Sequence, residues 1–133
     1  MPYARIIKQD EKLFVVRFSS QEPTDEQFRK YLDDLLKLYK KEKGFILIID
    51  GSESRILESK YRTLQGRWIA ENEELIKEKC IGQIYVINHP GTKFSLRVIF
   101  LIKTPPVPYR IVSNFPEALE YVSQFEKSHS GFT

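Results

Sequence analysis

Cysteine occurs once in this 133-residue chain, at Cys80, so no internal disulfide can form and a reducing compartment is expected. Histidine occurs twice, at His89 and His129. With so few of both there is no C-x-x-C, no H-x-x-x-H and no paired Cys/His spacing, and no metal centre is expected. The six glycines form neither a dinucleotide fingerprint nor a P-loop, because Gly91-Thr92-Lys93 lacks the upstream glycine. No cofactor is expected. No apolar run approaches the roughly 20 residues of a membrane span; the best candidate, 98–102, is far too short. The opening Met1-Pro2-Tyr3-Ala4-Arg5 lacks the layout of a signal peptide, and a cytoplasmic location is expected. Charge of one sign is also scarce: 21 basic against 18 acidic residues leave +3. The one compact basic stretch, 37–43, contains Glu42 and falls at a predicted helix end, where lysines complement the helix dipole. With no basic aromatic platform either, no nucleic-acid partner is expected.

What is present is an ordinary globular composition, 41% hydrophobic and 29% charged. A single domain of this length buries roughly two-thirds of its unfolded surface and needs no staple. Residues 1–127 read as one domain and 128–133 as a disordered tail.

Residues 3–8 and 13–19 are β-rich runs separated by the polar turn 9–12, an N-terminal hairpin. Thr24 with Gln27 three residues on forms a capping box. It opens a helix to about Lys43, with Phe28, Leu32, Leu35, Leu36 and Tyr39 on one stripe. Gly44 terminates it. The continuous apolar run 45–49 reads as a central strand covered on both faces. A long helix is expected over 57–79, with Gly66 in its interior at a cost of about 1 kcal/mol against alanine. Residues 81–87 form the next strand and 88–91 its exit. Residues 92–103 read as a helix apolar almost all round, ended by Thr104-Pro105-Pro106. A short strand at 109–112 and a helix from Pro116 to about Lys127 complete the chain. Strands alternating with helices predict βαβ units, hence an α/β domain with a mainly parallel sheet.

No catalytic constellation stands out. Asp50, His89 and a serine make a triad only on paper, without a G-x-S-x-G elbow. Glu71, Glu73 and Glu74 read as a solvated helix face rather than a paired-carboxylate site. Trp68 and Cys80 read as core or half-buried. The chain is expected not to be an enzyme.

Residues 45–122 resemble the SpoIIAA-like superfamily, which holds STAS domains and the Sec14-type proteins. The strand 45–49 ends in Asp50 before a loop and a helix, as STAS strands do. The stretch Ile81-Gly82-Gln83-Ile84-Tyr85-Val86-Ile87-Asn88 is similar to their next strand. The ending Pro108-Tyr109-Arg110-Ile111-Val112-Ser113, then Pro116-Glu117-Ala118-Leu119, is similar to their last strand and helix. The resemblance implies a SpoIIAA-like α/β fold, with an N-terminal hairpin, a mainly parallel sheet and helices packed on one face. It also implies a bacterial regulatory module that works by protein–protein interaction. Matching Asp50 to the strand-end Asp lays Leu57-Glu58-Ser59-Lys60-Tyr61 over the I-D-S-S-G stretch of that group. Lys60 then replaces the serine that is phosphorylated in anti-sigma-factor antagonists, and Tyr61 the glycine, so the usual phospho-switch is not expected.

Ligands and partners of such sheets sit beyond the carboxyl ends of the strands. The expected docking surface for an unidentified protein partner is therefore Asp50, Ser52, Ser54, Arg55, Ser59, Lys60 and Arg62. It combines a helix start suited to an anion with two serines, Ser52 and Ser59, open to phosphorylation. The plain alternative for these residues is a solvated loop with capping serines. The surplus apolar residues of the helix over 92–103, among them Phe94, Val98, Phe100 and Leu101, admit three roles. They are sunk between other helices, they form a homodimer or partner interface, or they line an apolar pocket as in the lipid-binding Sec14 relatives. The last makes a small-molecule or lipid-binding domain the alternative function.

Overall fold

The computed structural model describes residues 2–130. The chain runs β1(Ala4–Asp10), β2(Leu13–Phe18), α1(Asp25–Lys41), β3(Phe45–Asp50), α2(Ser59–Glu71), α3(Glu73–Lys79), β4(Cys80–Val86), α4(Pro90–Ile102), β5(Tyr109–Val112) and α5(Phe115–Ser130). One sheet carries the strands in the order β1-β2-β3-β4-β5. The hairpin β1/β2 is antiparallel and every other pair is parallel. This is the expected α/β architecture, and its sequential order follows from right-handed crossovers that each add a strand on the same side.

Period-two alternation divides the strand residues between two cores. Phe14, Val16, Phe45 and Leu47 face α1 to α4, where they meet Phe28, Tyr39, Ile69, Ile76 and Ile99. Val15, Ile46, Ile48, Ile84 and Val86 face the other way and meet Ala118 and Val122 of α5. Helices on one face is thus true of the first four; α5 covers the second face. It follows the last strand, so no crossover confines it, and the alternate strand residues would otherwise face water.

The α1 capping box is present: Gln27 N–H donates to Thr24 Oγ1 at 3.1 Å and Thr24 N–H to Gln27 Oε1 at 2.9 Å. Gly44, at φ +71°, turns the chain into β3. That left-handed backbone favours glycine, which has no Cβ to clash. The helix expected over 57–79 is two helices. Asn72 sits at φ −109°, ψ 18°, and its Nδ2 donates to Trp68 C=O at 2.9 Å. An asparagine side chain that competes for backbone partners ends α2 there. α4 starts two residues before the expected Thr92, because His89 is its N-cap: His89 Nδ1 accepts from Gly91 N–H at 3.0 Å, with Pro90 in the first turn. α5 continues to Ser130, so 128–130 extend the helix rather than open a tail. Residues 131–133 lie outside the described residues.

Candidate functional site

The carboxyl ends of β3 and β4 carry the loop 51–58 and the starts of α2 and α4. Four hydrogen bonds stitch the loop down. Gly51 N–H donates to Val86 C=O at 2.9 Å, and Ser54 N–H closes a turn on Gly51 C=O at 3.0 Å. Thr92 Oγ1 donates to Ser54 C=O at 2.9 Å, and Leu57 N–H donates to Ser95 Oγ at 2.8 Å. Thr92 and Ser95 are one helical step apart in the first turns of α4, so that helix holds both ends of the loop. Neither was singled out in the sequence, although small hydroxyl residues at a helix start are common backbone partners.

Asp50 does not belong to the exposed surface. Its side chain is buried, 5% accessible, and Oδ2 accepts from Arg17 Nε at 3.0 Å while Oδ1 accepts from Ser52 N–H at 3.0 Å. The reason is alternation. Asp50 shares parity with Ile46 and Ile48, so it points to the α5 face, away from α2. The parallel register places Arg17 directly opposite, and the Arg17 guanidinium lies 5.9 Å from the Phe115 ring at the start of α5. Asp50 therefore shapes the turn and ties β2 to β3. Ser52 and Ser54 are half-buried members of that turn.

Arg62 is also held in place. Its Nη1 donates to Leu57 C=O at 2.8 Å and its guanidinium lies 5.2 Å from the Phe94 ring. Three expected residues remain accessible together: Arg55, Ser59 and Lys60. Lys60 Nζ sits 3.0 Å from Asp25 Oδ1 and 5.0 Å from the Tyr61 ring. The Tyr61 hydroxyl donates to the same Asp25 oxygen at 2.7 Å. That hydrogen bond, then Lys60, holds the Asp25 carboxyl below the usual range, and Asp25 in turn raises the Lys60 ammonium. The first turn of α2 is thereby joined to the first turn of α1. Asp25 was not anticipated, since no local pattern links positions so far apart in sequence.

α4 is buried on one side only. Phe100 turns inward, with its ring 5.4 Å from Tyr85 and 5.3 Å from Tyr109. Its ring thus packs on the sheet side of α4, and the residue is half-buried. Phe94 is 48% and Leu101 82% accessible, and Val98 is half-buried. The reading of a helix sunk on all sides fails for the Phe94–Leu101 flank.

Between the sheet and α1, α2 and α4 lies a mostly apolar cavity of about 100 Å³, lined by Tyr39, Trp68, Gln83, Tyr85, Ile99 and Phe100 among others. Its polar groups are satisfied: Gln83 Nε2 donates to Tyr39 Oη at 2.9 Å, and Tyr85 Oη donates to Gln83 Oε1. Burial raises both phenols well above their ordinary value. The Cys80 thiol is pushed up to about 12 by burial and donates to Gly82 C=O. Among the described residues, no group of His, Cys, Asp and Glu side chains is placed to hold a metal ion. Among the described residues, no helix is long and apolar enough to cross a membrane.

No family model matches the chain. No curated protein matches it either. Among solved structures it is similar to an anti-sigma factor antagonist from Mycobacterium paratuberculosis, at 20% identity and TM-score 0.62, over 90% of this chain and 92% of that one. The likeness establishes the fold, a five-stranded, mostly parallel α/β domain shared with that protein.

Proposed function

We propose that this chain is a regulatory protein-interaction module, not an enzyme, and that it docks its partner on the accessible rim formed by Arg55, Ser59 and Lys60. The observation that carries the reading is the contrast within this one region. The loop behind the rim is fixed by hydrogen bonds to β4 and α4, while the rim side chains project from it into solvent. A rigid loop presenting a few charged groups beyond the carboxyl ends of parallel strands is a pre-organised recognition surface. The likeness to an anti-sigma factor antagonist supports a partner protein as the occupant.

The switch differs from that of the phosphorylated STAS proteins. Where they carry the modified serine this chain carries Lys60, whose charge is already matched by Asp25. Docking is then constitutive, or is set by the partner's abundance.

The test is affinity capture with the full chain and with the double variant Arg55→Glu, Lys60→Glu. A stoichiometric partner retained by the wild type and lost by a variant of unchanged melting temperature supports the reading. The same partner held equally by both refutes this surface.

A second reading, small-molecule binding, draws on the cavity. At about 100 Å³ it is well below the roughly 300–1,000 Å³ of ordinary ligand pockets. It suits a small aromatic molecule rather than a lipid tail. A mass shift in native mass spectrometry of the gently purified chain is its test; a clean apo mass removes it.

A further inference from the structure

The sheet order leaves β1 with a neighbour on one side only. At seven residues it is a long edge, with a row of backbone groups free of the sheet ladder. The ladder itself says which groups they are. Ser19 N–H donates to Tyr3 C=O at 2.9 Å, so Tyr3 and Ser19 form a bonded pair. Bonded and non-bonded positions alternate along an antiparallel pair. With Arg5 opposite Arg17 and Ile7 opposite Val15, those two residues bond to β2. Ala4, Ile6 and Lys8 then turn their N–H and C=O groups outward, away from the sheet. Their partners across the hairpin are Phe18, Val16 and Phe14, so their side chains lie on the face that carries α1.

Beside this edge runs a groove of about 840 Å³ between β1 and α1. Tyr3, Ala4, Ile6, Tyr31 and Leu38 make its apolar lining. On the α1 wall, Lys30 and Asp34 pair with each other at 3.0 Å. Lys37 and Lys41 line the same groove and form no salt bridge among the described residues. The wall is therefore cationic toward its Lys37–Lys41 end.

We propose that this edge and groove receive an extended acidic segment of a partner protein, added to the sheet as a further strand beside β1. A strand that bonds to Ala4, Ile6 and Lys8 places its opposing side chains on the α1 face. Every second side chain thus enters the groove, apolar against Tyr31 and Leu38 and acidic beside Lys37 and Lys41. The main chain supplies affinity and the groove supplies selectivity, the division of labour seen wherever peptides extend sheets. The groove lining includes none of Arg55, Ser59 and Lys60, so either site can fail without the other.

Octapeptides displayed on phage and panned against the full chain provide the test. Enriched sequences should alternate Val, Ile or Phe with polar positions and carry Asp or Glu. A synthetic copy of the commonest one should shift the β1 amides in the NMR spectrum and bind Lys8→Pro at least about tenfold more weakly. Lys8→Pro is chosen because its N–H points out of the sheet, so proline there removes no β1–β2 bond. If that variant does not fold, Lys37→Glu with Lys41→Glu, on the exposed wall of α1, should weaken the same peptide by a similar factor and turn selection toward basic peptides. No enrichment over uncoated support overturns the proposal. So do peptides that bind the variants as tightly as the wild type, and so does a dimer through β1 in light scattering.

Discussion

Gly66→Ala opposes two rules of comparable size, and the structure decides between them. Gly66 lies inside α2, where alanine ordinarily gains about 1 kcal/mol. A Cβ there would stand 2.7 Å from Ile102 Cβ and 2.9 Å from both Ile102 Cγ2 and Cδ1. Those atoms belong to the last residue of α4, so the glycine is what lets the two helices touch. Overpacking a close contact costs about 1–3 kcal/mol. The nearest atom is Ile102 Cβ, which no rotamer change moves, so the end of α4 must shift, and set against the helix gain the net loss is about 1 kcal/mol. For a chain of this length that is a drop of about 3–5 °C in melting temperature. The assay is urea unfolding by far-UV circular dichroism, with the midpoint lowered and the slope unchanged. In an Ile102→Ala background two of the three close contacts vanish, so the same substitution should cost less, with a coupling of at least about 0.5 kcal/mol. A Gly66→Ala protein more stable than wild type, or a cycle with no coupling, refutes the argument.

Asp50→Ala leaves the Ser52 N–H without its acceptor and Arg17 without its ion partner. Because Arg17 is half-exposed and can be solvated, the expected loss is about 2 kcal/mol, measured by the same unfolding assay. Leu101→Glu should leave stability unchanged, whereas Phe100→Glu should destabilise by about 3 kcal/mol or more, since only Phe100 is packed on Tyr85 and Tyr109. Buried Cys80, Tyr3, Tyr31, Tyr39 and Tyr85 keep their protons in the folded chain at pH values where the unfolded chain has lost them. The unfolded state then binds fewer protons, so stability falls as pH rises, from about pH 8.5 for the thiol and about pH 10 for the phenols. Stability that stays flat to pH 11 contradicts this. For the same reason maleimide should label Cys80 in urea but barely in native buffer.

The order of elements was legible because the hydrophobic period changes cleanly between 2 and 3.6 along the chain, and because Thr24 and Gln27 mark a helix start by themselves. The break at Asn72 was not, since residues 57–79 keep a helical apolar spacing through it and only one side-chain bond divides them. The early start of α4 was available in principle: a residue before a proline that opens a helix is an N-cap candidate. That the expected docking residues fall in and after the loop beyond β3 was legible, but not how each side chain is placed. Asp50, Ser52 and Ser54 are polar and lie in a loop, which says nothing of the side to which each points. That depends on α5 taking the second face and on Arg17 standing in register with Asp50, both consequences of the assembled sheet. In the same way, period alone could not divide α4 into an inward Phe100 and an outward Leu101.

The most direct test of the docking claim is hydrogen–deuterium exchange on the captured complex against the free chain. The account predicts slowed exchange across residues 55–62 and the first turn of α1, with the outer face of α4 unchanged. Protection confined to α4 or to α5, with 55–62 exchanging as in the free chain, contradicts it.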